Sequence, residues 1–239
     1  MNIAVIFAGG LGKRMNAKAT PKQFLEVHGK PIIIYTLEQF ETHPEIDGIV
    51  IACHPDWIRY LEEKIYKFRV EKVWGITAGG STGQESIYNG LCLAKEKAGE
   101  DEDAIVLIHD GVRPLINADL ISANIASVKE FGSAITSTRA TETFAITDTE
   151  LTVEKIMDRN VSQIAKAPQS FYLKDILSVH EQAKADGVTD AIDSCTLMHR
   201  YGKRMRIVEG PYTNIKITTQ EDFYMFRALQ EARENMQLN

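Results

Sequence analysis

Apolar runs alternate with amphipathic segments along the first 130 residues of the chain. Continuous apolar runs predict strands that are buried on both faces at 3–8, 48–53, 73–77 and 104–109. Apolar residues at three- and four-residue spacing predict helices at 31–40, 57–68, 82–97 and 117–131. Strands that alternate with helices predict an α/β fold, with a mostly parallel twisted sheet covered by helices on both faces.

The alternation ends near residue 133, where β-branched residues become frequent. We expect a small antiparallel β-arm at about 133–160, built from strands at 133–139, 143–146 and 151–156. Beyond the arm, the pattern predicts helices at 173–185 and 192–201, a strand at 204–208 and a last helix after Thr219. Because no internal repeat or linker interrupts the chain, we expect residues 1–239 to form a single domain that carries the arm.

The loop after the first predicted strand combines glycines with cations. Gly9-Gly10-Leu11-Gly12 is followed by Arg14 and then by Lys22. Glycines let backbone N–H groups approach phosphate oxygens, and the two cations add fixed positive charge, so the loop predicts a polyphosphate site. The spacing excludes a Walker A loop, and Met15 replaces the third glycine of a dinucleotide fingerprint. A plain turn between a strand and a helix remains the alternative.

The composition of the chain indicates which kinds of binding partner and which cellular location to expect. The net charge of −6, from 27 basic and 33 acidic side chains, disfavours nucleic acid as a partner. No apolar run approaches the ~20 residues that span a bilayer, which disfavours a membrane partner. Cys53, Cys92 and Cys195 are odd in number and widely spaced, so we expect free thiols and a cytoplasmic location.

An aspartate follows the fourth predicted strand, in the motif Asp110-Gly111-Val112-Arg113. An aspartate at the carboxyl end of a strand, opposite a phosphate loop, is suited to Mg²⁺, which takes one or two carboxylates together with substrate phosphates. An ordinary Asp-Gly turn is the alternative. The arginine of the motif could pair with the aspartate or contact an anionic substrate.

Two further segments extend the candidate site. Gly79 and Gly80 precede Thr82 and Glu85, which have the spacing of a helix capping box, and the paired glycines favour a nucleobase edge beside the backbone. The loops at 9–14, 78–81 and 109–114 all follow parallel strands and should therefore face one cleft. Lys216, between two apolar residues near the end of a predicted strand, taken alone favours a solvent-facing structural role.

Six motifs run in order from residue 2 to about 225: Ala8-Gly9-Gly10-x-Gly12-x-Arg14-Met15, Pro21-Lys22-Gln23-Phe24-Leu25, Gly79-Gly80-x-x-x-x-x-Ser86, His109-Asp110-x-x-Arg113-Pro114, Ala167-Pro168-Gln169-Ser170-Phe171 and Asn214-Ile215-Lys216-Ile217-Thr218. Together they resemble the cytidylyltransferases that activate 2-C-methyl-D-erythritol 4-phosphate or ribitol 5-phosphate. The resemblance implies a Rossmann-like nucleotidyltransferase fold. It also implies a reaction in which CTP and a polyol phosphate give a CDP-polyol and pyrophosphate.

The same resemblance implies roles for individual residues. Arg14, Lys22 and Lys216 are expected to be catalytic, and Asp110 is expected to hold Mg²⁺ or another divalent cation. The nucleotide is expected to contact Ala8, Gly9, Gly10, Gly12, Gly80, Ser81, Ser86 and Asp110. The acceptor is expected to contact Arg113, Thr143, Arg159, Asp193 and Lys216. Because the arm reaches a second subunit in this family, the resemblance implies a homodimer in which Thr143 and Arg159 act across the interface.

Departures from the family pattern leave the substrates open. Gly83 stands where an arginine is common, near the base pocket, and Ala167 stands where a threonine usually precedes Pro-Gln, near the polyol pocket. The motifs at 109–113 and 168–171 favour ribitol 5-phosphate, with 2-C-methyl-D-erythritol 4-phosphate as the alternative. A sugar-1-phosphate nucleotidyltransferase would not explain the Lys216 motif. A catalytically inactive, nucleotide-binding regulatory protein would not need the charged residues of these motifs.

Overall fold

A seven-stranded sheet forms the middle of the molecule in the computed structural model, which describes residues 1–9 and 20–237. The described strands are β1 (Asn2–Ala8), β2 (Glu26–Val27), β3 (Lys30–Pro31), β4 (Gly48–Cys53), β5 (Val73–Ala78), β6 (Ile105–Asp110), β7 (Ser133–Arg139), β8 (Ala145–Thr147), β9 (Val153–Ile156), β10 (Gln163–Tyr172) and β11 (Ile207–Glu209). The described α-helices are α1 (Ile32–Glu41), α2 (Ile58–Phe68), α3 (Gly83–Ala98), α4 (Ala118–Phe131), α5 (Leu173–Ala185), α6 (Ser194–Arg200) and α7 (Gln220–Gln237). Short 3-10 helices cover Lys22–Phe24, Pro55–Trp57 and Arg159–Val161.

The order of strands in the large sheet is β11-β7-β10-β6-β1-β4-β5. All neighbours in it are parallel except β10, which runs antiparallel to both β6 and β7. The strands β2 with β3, and β8 with β9, form two small antiparallel pairs. These features confirm the predicted α/β class and its mostly parallel, Rossmann-like sheet.

Alternate residues of β1 serve two hydrophobic layers, one on each face of the sheet. Ala4 and Ile6 pack with residues of α1, α2 and α4, whereas Ile3 and Val5 pack with residues of α3, α5 and α6. This two-sided burial explains why the strand is a continuous apolar run in the sequence. The sheet is therefore held from both sides, and its carboxyl edge is left open for loops.

Helix α3 approaches the sheet closely at a glycine. A Cβ atom on Gly90 would lie 2.8 Å from Cγ1 of Val5, which is closer than ordinary van der Waals contact. The missing side chain lets α3 lie against β1, so the N-terminus of α3 sits beside the loop that follows β1.

Within the described ranges, no helix combines the length and apolar character that crossing a lipid bilayer requires.

The structure corrects three expectations about the second half of the chain. The strand predicted at 133–139 as part of the arm is β7, which is buried in the large sheet between β11 and β10, so the arm consists of β8 and β9. No element was predicted at 157–172, yet β10 occupies much of it and lies inside the large sheet. The peptide between Ala167 and Pro168 is cis, and the pairing of β10 with β7 shifts register between Ala165 and Gln169. The strand predicted at 204–208 is instead the shorter β11, and Lys216 lies outside any strand.

Candidate active site

Two glycine bends meet at the carboxyl edge of the sheet. Gly9 follows β1 directly, and a Cβ atom there would lie 3.0 Å from Oγ of Ser86 and 3.9 Å from Cα of Gly79. The bend after β1 therefore contacts both the bend after β5 and the first turn of α3. Gly9 thus lies against the loop after β5, as expected of loops that follow parallel strands of one sheet.

The N-terminus of α3 is fixed by a set of side-chain hydrogen bonds. Thr82 caps the helix, since its hydroxyl accepts the N–H of Glu85 at 3.1 Å. The Ser86 hydroxyl accepts the N–H of Gly80 at 3.0 Å and donates to the carbonyl of Thr82 at 2.9 Å. Ser81 donates its N–H and its hydroxyl to the Glu85 carboxylate at 2.7 and 2.6 Å. The structure thus brings Gly80, Ser81 and Ser86 together beside Gly9.

The Pro21-Lys22-Gln23 motif is tied to the same edge. The Gln23 amide donates to the carbonyl of Ala8 at 2.7 Å, so the short helix Lys22–Phe24 lies against the end of β1. This contact places the segment that carries Lys22 beside the end of β1. The predicted site residues Gly10, Gly12 and Arg14 lie outside the described residues.

An ion cluster lies at the end of β6. The Asp110 carboxylate accepts from Nε of Arg113 at 2.7 Å on one oxygen and lies 2.5 Å from Nζ of Lys216 on the other. Burial alone would raise the pKa of Asp110, but the charges and hydrogen bonds of its two partners outweigh burial and lower the pKa to about 2. Asp110 is therefore an anion at neutral pH, and Lys216 is paired with it while its side chain remains 41% exposed.

Buried neighbours hold Arg113 in place. Its guanidinium also donates to the carbonyl of Asn214 at 2.9 Å, and its own carbonyl lies 3.1 Å from Nε2 of His109. Burial lowers the pKa of His109 to about 4, so the imidazole is neutral and Nε2 carries the proton that the carbonyl accepts. Sequence reasoning assigned no role to His109, although it ends an apolar strand and opens the motif that contains Asp110 and Arg113.

Asp193 and the residues of the ion cluster line one small cavity of about 120 Å³. Asp193 caps α6, and its second oxygen accepts from the Gln169 amide at 3.0 Å. The Gln169 carbonyl in turn accepts the N–H of Cys195 at 2.7 Å. The cavity is lined by, among others, Asp110, Arg113, Lys166, Gln169, Asp193 and Lys216.

Sequence reasoning missed two residues that line this cavity, Lys166 and Gln169, and one that contacts its lining, Asn214. Gln169 and Asn214 belong to quoted motifs but had no role, and Lys166 stood next to a motif. Asn214 is fully buried, and its amide donates to the carbonyl of Ala167 at 2.7 Å. It thus links the segment that carries Lys216 to the irregular stretch of β10. The alternation of apolar and polar residues does not show that Asn214 is buried, so the sequence pattern could not predict this contact.

Two predicted site residues lie away from this cavity within one chain. Thr143 and Arg159 are both exposed on the arm, and the Arg159 guanidinium donates to the carbonyl of Thr141 at 3.3 Å. Neither lines the cavity that contains Asp110. Their predicted contact with the acceptor would therefore need a second chain.

The fit of a divalent cation can be judged from the donor set. In the part of the chain that the structure describes, no group of three or more His, Cys, Asp or Glu side chains is arranged to hold a metal. Mg²⁺ needs only one or two carboxylates when phosphates and water complete its shell. Asp110 is ionised and lines the cavity together with Asp193, so the residues fit such an ion.

Known proteins with similar sequences and folds were found. A family profile described as "IspD: 2-C-methyl-D-erythritol 4-phosphate cytidylyltransferase" matches residues 2–231. A ribitol-5-phosphate cytidylyltransferase of Streptococcus agalactiae serotype III is 57% identical over 238 residues, covering 100% of this chain and 99% of the relative. A 2-C-methyl-D-erythritol 4-phosphate cytidylyltransferase of Geobacillus kaustophilus is 38% identical over 230 residues, covering 96% of this chain and 97% of the relative. The crystal structure of 4-diphosphocytidyl-2C-methyl-D-erythritol synthase from Anaerococcus prevotii superposes with a TM-score of 0.81 at 28% identity, with 96% of each chain covered.

Proposed function

The chain belongs to the 2-C-methyl-D-erythritol 4-phosphate cytidylyltransferase (IspD) family, and we propose that its acceptor is ribitol 5-phosphate. It is a CTP-dependent nucleotidyltransferase. The observation that carries the choice of acceptor is the 57% identity, over the full chain, to a ribitol-5-phosphate cytidylyltransferase, against 38% to one for methylerythritol phosphate. The reaction would join CTP and ribitol 5-phosphate to give CDP-ribitol and pyrophosphate.

The chemistry is a displacement at the α-phosphorus of CTP. An oxygen of the acceptor phosphate forms a new bond to that phosphorus, and the bond to the bridging oxygen breaks with its electron pair leaving on pyrophosphate. The nucleophile is already ionised at neutral pH, so no general base is needed. This agrees with His109, which is buried, neutral and hydrogen-bonded to a backbone carbonyl.

The difficult part of the reaction is to hold two polyanions together and to stabilise the charge that concentrates around the α-phosphorus. Positioning and fixed cations supply this in phosphoryl-transfer sites. Lys216 and Arg113 are available here, because Asp110 orients both while its own pKa stays near 2. Lys22, in the segment beside the end of β1, and Arg14 would stabilise the CTP phosphates.

The nucleotide would lie along the two glycine bends. Neither glycine has room for a side chain: a Cβ atom on Gly9 would lie 3.0 Å from Oγ of Ser86, and one on Gly80 would lie 2.2 Å from Cγ of Glu85. Ala8, Gly10, Gly12, Ser81 and Ser86 complete the proposed nucleotide contacts. Bound Mg²⁺ would neutralise phosphate charge, with Asp110 as its carboxylate ligand.

The acceptor would lie on the other side of Asp110. Arg113 and Lys216 supply positive charge there, and Asp193 supplies an acceptor for polyol hydroxyls, since Gln169 holds its carboxylate in place. We infer that Thr143 and Arg159 of a second copy complete this pocket.

All three described cysteines are free, which agrees with the cytoplasmic location that we propose.

The proposed homodimer is supported by the apolar surface of the arm. Its strands β8 and β9 are exposed along their whole length, and several large apolar side chains on the arm are exposed: Phe144, Ile146, Leu151, Val153 and Ile156. Light scattering should give twice the 26.8 kDa mass of one chain. The variant Ile156→Glu should shift the mass toward one chain, whereas Tyr66→Glu, at an exposed site on α2, should not. A wild-type mass of one chain would contradict the dimer.

The proposed function is tested by pyrophosphate release. The protein is incubated with each NTP, Mg²⁺ and a panel of polyol phosphates and sugar 1-phosphates. We expect release with CTP and ribitol 5-phosphate, and loss of release when EDTA removes the divalent cation. Turnover with UTP but not CTP would contradict the base, and failure with every polyol phosphate would support the inactive, regulatory alternative.

A further inference from the structure

Lys166 lies at the cavity but is not used by the roles described above. Its ammonium lies 3.1 Å from the carbonyl of Tyr212 and 3.5 Å from that of Pro211. The side chain is partly buried and lines the same cavity as Arg113 and Lys216. A third cation therefore stands next to two that the reaction already needs.

The backbone places this lysine by an irregularity of β10. The strand pairs with β7 at Ala165 with Ser137 and again at Gln169 with Ile135, so four residue steps on β10 match two on β7. Extra residues in a strand bend it and change the direction of its side chains. Lys166 belongs to this extra stretch.

The charges around the cavity are not balanced at Lys166. Asp110 is bound by Arg113 and Lys216, and Asp193 is bound by the Gln169 amide and a backbone N–H. Among the residues that the structure describes, no carboxylate oxygen lies within 4.0 Å of the Lys166 ammonium. Its hydrogen-bond partners are the carbonyls of Pro211 and Tyr212. Burial, and after it the positive charge of Arg113, lower the pKa of Lys166. An anion bound between these cations would offset the repulsion between Lys166 and Arg113. It would also offset part of the free-energy cost of burying the Lys166 ammonium.

The strand order indicates which anion this is. The glycine bends follow β1 and β5, on one side of β6, whereas Lys166 is on β10, on the opposite side of β6. Asp110 ends β6 and thus stands between the nucleotide loops and Lys166. A phosphate bound by Lys166 would therefore be that of the acceptor and not one of the phosphates of CTP.

We propose that Lys166 binds and orients the phosphate of the polyol-phosphate acceptor. The proposal rests on the proposed function for the identity of the acceptor. In the complex, the ammonium donates to phosphate oxygens other than the attacking one. It thereby binds and orients the nucleophile, without giving up or taking a proton.

The first test is steady-state kinetics on Lys166→Gln and Lys166→Arg, with Lys129→Gln as the matched control. Lys129 is an exposed lysine on α4, and its substitution removes the same charge. We expect Lys166→Gln to raise the KM for ribitol 5-phosphate at least about tenfold, with the KM for CTP changed less than about twofold. Lys166→Arg should recover most of the effect, because it keeps the charge and its donors. An unchanged acceptor KM in Lys166→Gln, or an equal rise for CTP, would overturn the proposal.

A second test does not depend on turnover. Inorganic phosphate is titrated by calorimetry into each protein saturated with α,β-methylene-CTP, a CTP analogue that cannot be cleaved between the α and β phosphorus atoms. Phosphate should bind wild type and Lys129→Gln equally, and Lys166→Gln at least about tenfold more weakly. Equal phosphate affinity in all three proteins would contradict the role of Lys166. If wild type turns over no polyol phosphate, the proposed function fails, and this titration still decides on Lys166.

Discussion

At the residue scale, the central feature is one buried carboxylate that orients two cations. Asp110 is 5% exposed and contacts Arg113 and Lys216, which approach from different segments of the chain. Sequence spacing cannot show that residues about 100 positions apart share a carboxylate. It did mark Asp110 and Arg113 as a pair, because they stand in one short motif.

Removal of the Lys216 ammonium should affect the rate more than the fold. We expect Lys216→Ala to lower kcat at least about 100-fold, because the group stabilises charge at the reacting phosphates. Its side chain is 41% exposed, so the melting temperature should change little. Lys203→Ala, at an exposed site after α6, serves as the control. A kcat near that of wild type would show that Lys216 only orders the cluster.

At the element scale, the sequence predicted most of the sheet and helices but missed β10. The runs that became β4, β7 and α5 have the predicted ends. Pro168 inside a central strand argues against a strand, since proline cannot donate to the ladder. The structure resolves this by a break in the pairing at that point. The same break carries Ala167 and Lys166, so the missed element is also the missed part of the site.

The cap of α3 gives a prediction at this scale. Thr82→Ala removes the hydroxyl that accepts the Glu85 N–H, and we expect the free energy of unfolding to fall by about 1 kcal/mol. Thr82→Ser keeps the acceptor and should stay close to wild type. Urea denaturation measures both. Equal stability of Thr82→Ala and Thr82→Ser would mean that the cap does not hold the helix end beside the nucleotide loops.

At the scale of the whole molecule, two buried histidines make the fold sensitive to acid. Burial lowers the pKa of both His109 and His180 to about 4, below the value of about 6.5 expected when unfolded. Between these values the unfolded chain binds more protons, so stability is fully present above pH 6.5 and is lost as the pH falls toward 4. Asp110 adds to this loss only below about pH 4.

Urea unfolding at pH 7.5 and pH 5.0 tests this dependence. Each histidine should contribute a loss on the order of 2 kcal/mol between these two values. The variant His180→Gln should lose less stability than wild type over the same interval, because it lacks one of the two histidines whose pKa is lowered by burial. The same loss in both proteins would contradict the role of His180.

The choice of acceptor is the central claim about the molecule, and direct competition tests it. Wild-type protein receives CTP, Mg²⁺ and equal concentrations of ribitol 5-phosphate and 2-C-methyl-D-erythritol 4-phosphate, and mass spectrometry measures the two CDP-polyols at low conversion. The product ratio equals the ratio of the kcat/KM values for the two acceptors. We predict that CDP-ribitol exceeds the methylerythritol product at least about tenfold. An excess of the methylerythritol product would contradict the proposed acceptor.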